Sequence, residues 1–227
     1  MTAAPAAPAA CWALVPLKRL VSAKQRLETA LPAAERADLV GWMFAKVLDV
    51  LRRTEGLAGI AVVTPERALV PDDVLWIADP GGGLNAALSA ASVRLEAVGA
   101  QAVLTVPADV PLATPGEIAA VLAAAASHPV VVVPDHWRRG TVALCLSPPS
   151  LFAPCYGETS FADHVAAARR AGVEPRLCDL PGLAFDIDVP EDVTELRRRT
   201  AWRGSWSPAA IAAQGSRGKT GSTDSQS

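Results

Sequence analysis

The chain reads as an α/β protein built on a doubly wound, mainly parallel sheet, and three features predict it. Short runs of Val, Leu and Ile alternate with segments of helical spacing for most of the length, the element order that builds a parallel sheet with helices on both faces. Runs such as Val103–Val106 and Val130–Val133 carry almost no polarity, as strands covered on both faces do. Finally, Asp109 lies between Pro107 and Pro111 just beyond one such run. The prolines stop the ladder and delay the next helix, which leaves the carboxylate at the ligand-binding end of an open sheet.

Taken in order, Cys11–Leu17 is the first buried strand, and it opens into a basic loop with Lys18, Arg19, Lys24 and Arg26. Ala33–Arg53 follows as a helix, because Leu39, Trp42, Met43, Val47, Val50 and Leu51 form an apolar stripe; Gly56 ends it. Ile60–Thr64 and Val74–Ala78 are short strands punctuated by Pro65 and Pro71. Gly81, Gly82 and Gly83 lead into a helix from Leu84 to about Val98, and Gln101–Val106 is the strand before Asp109. Thr114, Pro115 and Glu117 read as N-cap, first-turn proline and capping-box acid of the next helix, running to Ser127. With Thr114 as cap, Asp109 is spare for chemistry.

Val130–Val133 and Thr141–Leu146 are further strands on either side of a turn at Arg138–Gly140. Ser160–Ala171 is a helix with Ser160 as its cap and Asp163 three residues on. Arg176–Leu180 is a short edge strand, Leu183–Asp188 closes the core, and Pro190 to Arg199 forms the last helix. The expected organisation is a disordered leader at 1–10, one domain at 11–199 and a disordered tail at 200–227, where periodicity gives way to Gly, Ser, Thr and Gln.

Composition removes several classes of function. A 227-residue chain that is 51% hydrophobic buries one sizeable core. A net charge of −2 offers no general attraction to nucleic acid or to an anionic membrane. Cys11, Cys145, Cys155 and Cys178 form no CxxC pair and lie mostly in apolar runs, as buried thiols of a reducing cytoplasm do. No apolar stretch reaches the roughly 20 residues of a membrane span, and the leader lacks a signal peptide's basic start. Small-molecule substrates are the expected partners; whether the protein forms a homodimer is left open.

Four clusters carry chemistry. Asp186 and Asp188, two apart in an extended segment, leave one face while Ile187 leaves the other. With Asp109 they offer hard oxygen donors and no nitrogen or sulfur, a set suited to Mg²⁺. Asp188 alone reads equally well as the cap of the last helix, with Glu191 as its partner. Lys18, Lys24 and Arg26 stand just past the first strand, where cations would neutralise a triphosphate. Gly82 and Gly83 would let the backbone approach a base or ribose, and Asn85 could read the base by its amide. The fourth cluster is Gly140–Thr141 with Tyr156–Ser160: Gly157 permits close approach, and helix N–H groups near Ser160 suit a phosphate or carboxylate. His164 reads as a packed or exposed residue without a role as a base, and His128 and His136 earn none.

In order, VPLK with AKQRL, GGGLNAAL, VPADVPLATP, RRGTVAL, YGETSFADH and FDIDVPEDV resemble the CofC/FbiD family of phospho-acid guanylyltransferases, from about Trp12 to Leu196. The resemblance implies a single-domain Rossmann-like fold of the nucleotide-diphospho-sugar transferase (GT-A-like) type. It also implies transfer of GMP from GTP to 2-phospho-L-lactate, phosphoenolpyruvate or 3-phospho-D-glycerate, with loss of pyrophosphate, in coenzyme F-420 biosynthesis. By motif the family's metal-binding aspartates fall on Asp109, Asp186 and Asp188, and its phospho-acid contacts on Thr141, Gly157 and Ser160. Val142 stands where the family often has asparagine, which bears on acceptor recognition. Two other readings compete. One is nucleotidyl transfer to a molybdopterin or sugar phosphate, and the other a non-catalytic nucleotide-binding module that uses a tail containing Trp202 and Trp206.

Overall fold

The computed structural model describes residues 10–19, 24–200 and 202. Seven strands form one sheet in the order β3-β2-β1-β4-β6-β5-β7. β1 (Cys11–Pro16) is flanked by parallel β2 (Leu57–Thr64) and β4 (Ala102–Thr105), and β3 (Leu75–Ala78) continues parallel to β2. β5 (Val130–Pro134) and β6 (Thr141–Leu146) are antiparallel, β6 is antiparallel to β4, and β7 (Arg176–Leu177) is parallel to β5. The antiparallel step has a local cause. The turn at 135–140 is too short for a crossover, so the chain must fold straight back, with Arg138 in the left-handed region at φ 53° to make the corner.

Strand residues alternate between two apolar layers. Ala13 and Val15 join the core that holds Leu39, Met43, Phe44 and Val47 of α1 (Ala33–Arg52) and Ile118 and Val121 of α3 (Pro115–Ala125). Leu14, between them, packs on the opposite side with Leu88 and Leu95 of α2 (Leu84–Ala97). β5 repeats the pattern: Val131 and Val133 enter the first core, while Val130 and Val132 meet Ala168 of α4 (Ser160–Arg170). Helices therefore cover both faces, and the unalternating strand sequences follow from double burial. Gly59 lies directly under the Trp12 ring, where a Cβ would collide with it. No helix among the described residues is long and apolar enough to cross a membrane.

Leu183–Asp188 closes the core as an irregular segment with Leu183 and Ile187 buried. Three expectations need correction. Ser160 is not the N-cap of α4. Thr159 holds that position and its hydroxyl donates to Asp163 at 2.8 Å. The core does not stop at residue 199, since Trp202 is only 2% exposed and packs against Trp42 and the Arg197 guanidinium. A buried Trp202 cannot serve as an exposed docking group. Trp206, the leader at 1–9 and residue 201 with 203–227 of the tail lie outside the described residues.

Candidate active site

β1 sits at the switch point of the sheet: the chain leaves it toward β2 and β3 on one side, then returns to β4 on the other. The loops leaving the carboxyl ends of β1 and β4 separate there and open a crevice. Asp109 follows β4, Lys24 and Arg26 lie beyond β1, and Asp186 and Asp188 arrive just before α5 (Pro190–Arg199). All but Lys24 line a cavity of about 520 Å³, which also takes in Thr141, Gly157 and Ser160. Lys24, Arg26, Asp109 and Asp188 line an adjoining cavity of about 480 Å³ with Lys18.

Two buttresses bring the distant acids together. The Glu117 carboxylate closes the expected capping box with Thr114 and also accepts the Gly182 N–H at 2.6 Å. One side chain thus ties the helix after Asp109 to the loop that delivers Asp186. Gly182 is needed at that contact, because a Cβ would strike both the Glu117 carboxylate and the Leu112 carbonyl. At the second buttress Asp192 accepts the N–H groups of Asp188 and Val189 at 2.8 and 2.9 Å. Asp192, rather than Glu191, is therefore the capping acid, and the Asp188 carboxylate is left for the crevice.

The cation found between the acids belongs to the chain. Lys24 Nζ lies 2.6 Å from Asp109 and 2.8 Å from Asp188, and Arg26 approaches Asp188 at 3.7 Å. Lys24 holds a left-handed backbone at φ 55°, a conformation costing a non-glycine residue about 1 kcal/mol or more. Burial acts against its charge, but Asp109 and Asp188 outweigh burial and hold the ammonium above the ordinary lysine range. For Asp188 burial is likewise overcome, by Lys24 and then Arg26, so its carboxyl stays below its usual range. Asp186 makes no such ion pair; burial, Asp109 and Asp188 push it up to about 6 against the weaker pull of Lys24. Among the described residues no three His, Cys, Asp or Glu side chains form a ready-made metal cluster. The expected three-ligand arrangement is thus not preformed: Asp109 and Asp188 are drawn onto one ammonium, and Asp186 faces them as surplus negative charge.

Across the cavity, Thr141 at the start of β6 and Ser160 at the start of α4 are 7% and 2% exposed. Ser160 Oγ accepts the Thr141 N–H at 2.9 Å, and Thr141 Oγ1 lies 2.9 Å from His164 Nδ1. Two of the helix N–H groups expected to be open here are already used: Ser160 N–H donates to the Gly157 carbonyl and Phe161 N–H to the Arg139 carbonyl. Beside them the wall presents the Thr141 and Ser160 hydroxyls. Asp135 shapes its rim by accepting the Arg139 and Gly140 N–H groups at 2.9 and 2.8 Å.

Asn85 is already engaged within the protein. Its amide brackets Tyr156, donating to the carbonyl at 3.0 Å and accepting the N–H at 2.7 Å. It therefore fixes the segment that carries Gly157. Gly82 and Gly83 have φ of 84° and 92°, a backbone only glycine adopts easily. Gly83 and Lys18 line a third cavity of about 280 Å³, with Asp79 nearby. Sequence reading missed Glu117's second bond, Asp192, Asp135 and the partners of Tyr156 and His164. Only Asp192 had a readable signal, since it stands three residues after Val189 as a capping acid should.

Comparison with known proteins adds a family. The family model described as guanylyl transferase CofC like matches residues 11–199. A phosphoenolpyruvate guanylyltransferase of Rubrobacter xylanophilus is 41% identical over 82% of this chain and 92% of that protein. One from Conexibacter woesei is 35% identical over 85% and 89%. A solved structure from Desulfovibrio desulfuricans G20, provisionally named a nucleotide-diphospho-sugar transferase, overlays with a TM-score of 0.69 at 18% identity, covering 91% of this chain and 94% of that one.

Proposed function

The chain belongs to the CofC-like guanylyl transferase family, and from that premise we propose that it transfers GMP from GTP to the phosphate of phosphoenolpyruvate, releasing pyrophosphate, as a step of coenzyme F-420 biosynthesis. The observation that carries this reading is one cavity with a cluster of acids and cations on one wall and the Thr141–Ser160 hydroxyls on the other. The named activity of the relatives supports phosphoenolpyruvate as acceptor.

In this reading GTP lies over the carboxyl ends of β1 and β4, with its triphosphate against Lys18, Lys24 and Arg26 and its nucleoside end along Gly82 and Gly83. The acceptor's carboxylate or phosphate rests on Thr141, Gly157 and Ser160. An acceptor phosphate oxygen attacks the α-phosphorus; that P–O bond forms as the bond to the β-phosphate oxygen breaks. The acceptor phosphate is already ionised near neutral pH, so the step needs neither a protein nucleophile nor a general base. Lys24 exchanges its two carboxylates for phosphate oxygens, and Lys18 and Arg26 neutralise the leaving pyrophosphate.

Asp109, Asp186 and Asp188 are the residues that would hold Mg²⁺. Their hard oxygens suit it, two of them already share a cation, and Asp186 stands ready to join. Bound there, the ion would neutralise charge on the transferring group. The test is to incubate purified protein with GTP, Mg²⁺ and each of phosphoenolpyruvate, 2-phospho-L-lactate and 3-phospho-D-glycerate, and to weigh the products. A guanylylated phosphoenolpyruvate with one pyrophosphate per turnover supports the reading; absence of product with all three acids removes it.

A further inference from the structure

We infer that His164 is a positioning residue that fixes the hydrogen-bond polarity of the acceptor cradle, turning the Thr141 hydroxyl into a donor toward an anionic ligand. The inference rests on the proposed role of Thr141 and Ser160 as acceptor contacts, and adds to it the group that orients them.

The imidazole is 0% exposed, with Tyr156 edge-on at 4.9 Å and Phe152 at 6.3 Å between ring centres. Its two nitrogens have different partners. Nε2 meets the backbone N–H of Cys155 at 3.0 Å. A backbone N–H can only donate, so Nε2 must present its lone pair, and the proton of the neutral ring resides on Nδ1. Nδ1–H then donates to Thr141 Oγ1 at 2.9 Å. One lone pair of that hydroxyl is thereby used, and its hydrogen must point elsewhere. Ser160 is treated the same way, because its Oγ accepts the Thr141 N–H. Among the described residues neither hydroxyl donates to a protein acceptor, and both line the cavity.

The cradle thus offers two O–H hydrogens to whatever binds. That suits a group with only acceptors, such as a carboxylate or an ionised phosphate. The opposite tautomer would reverse the Thr141 hydroxyl, leaving lone pairs toward the ligand, and would set two N–H groups against each other at Cys155. His164 also holds the backbone just before Gly157, so one ring orders both sides of the cradle. It touches no reacting atom.

Two measurements test this. In the wild-type protein, ¹⁵N–¹H correlation across the imidazole should show a proton on Nδ1 and a bare Nε2; a proton on Nε2 would overturn the inference outright. In steady-state assays, His164→Leu should raise KM for phosphoenolpyruvate by at least about tenfold, the loss expected when a donor to a charged group is misdirected. KM for GTP and kcat should stay within about threefold. His164→Asn, whose amide can still donate from the Nδ1 position, should recover most of the acceptor affinity. A parallel rise in both KM values, with Asn no better than Leu, would mean a merely structural role and refute the inference. Wild-type protein without turnover would instead remove the proposed function and this inference with it, so the two failures are told apart by the wild-type assay.

Discussion

Acidification should weaken this fold through His164, and the size of the effect follows from its surroundings. Burial holds the imidazole down to about 4 against an ordinary 6.5, and the nearby Asp163 carboxylate pulls the other way without prevailing. The folded protein therefore keeps a neutral ring while the unfolded chain takes up a proton as pH falls through 6.5. Stability is fully present above that value and is lost on the way down to about 4. At about 1.4 kcal/mol per unit, the whole shift is worth roughly 3 kcal/mol, of which about 2 kcal/mol is gone by pH 5. Asp186 works in the opposite sense over an overlapping window: with its carboxyl pushed up to about 6, the folded state takes a proton first and gains stability as pH falls. The wild-type curve alone would mix the two slopes. Urea unfolding of wild type and His164→Asn at pH values from 7.5 to 5 separates them, because Asp186 is common to both. The difference in unfolding free energy should move by about 2 kcal/mol in favour of the variant as pH drops. A difference that stays constant within about 0.5 kcal/mol would show that the ring titrates normally, and would refute its burial between Thr141 and Cys155.

Three substitutions probe how the site is held. Glu117→Ala removes both the capping box and the bond to Gly182, so the thermal midpoint should fall by an amount equivalent to about 1–3 kcal/mol, and turnover should fall with it; an unchanged midpoint would contradict the buttress. Gly182→Ala drives a Cβ into the Glu117 carboxylate and the Leu112 carbonyl, and should cost roughly 1–3 kcal/mol in denaturant unfolding while lowering kcat; wild-type behaviour would show that the loop relaxes freely. Asn85→Ala frees the Tyr156 backbone from its amide clamp, so KM for the acceptor should rise about tenfold or more with KM for GTP little changed. The reverse pattern would restore Asn85 as a reader of the base.

Much of this architecture was legible because double burial writes itself into strands. Val130–Val133 and Val103–Val106 have no polar face to show, and the structure covers both sides of each. The Thr114–Glu117 cap was equally plain, since its partners are three residues apart. Asp109 could be picked out as an acid with no local partner, and Asp186 and Asp188 as a pair leaving one face; the structure gathers all three around one crevice with Arg26, and Lys24 bridges two of them. What stayed hidden was long-range pairing. Asn85 meets Tyr156 across 71 positions and His164 meets Thr141 across 23; nothing in either local sequence names the partner. The Lys24 ammonium between two carboxylates was missed for the same reason, and Trp202 because a polar-looking tail hid one buried ring.

The central claim is that the acids gathered at the switch point of the sheet carry guanylyl transfer. The most direct test is pyrophosphate release by Asp109→Asn, measured beside wild type with saturating GTP, Mg²⁺ and phosphoenolpyruvate. The account predicts a drop of at least about 100-fold, the scale seen when a group stabilising transferring charge is removed, with the thermal midpoint close to wild type. A variant that folds normally and releases pyrophosphate within threefold of the wild-type rate would contradict it.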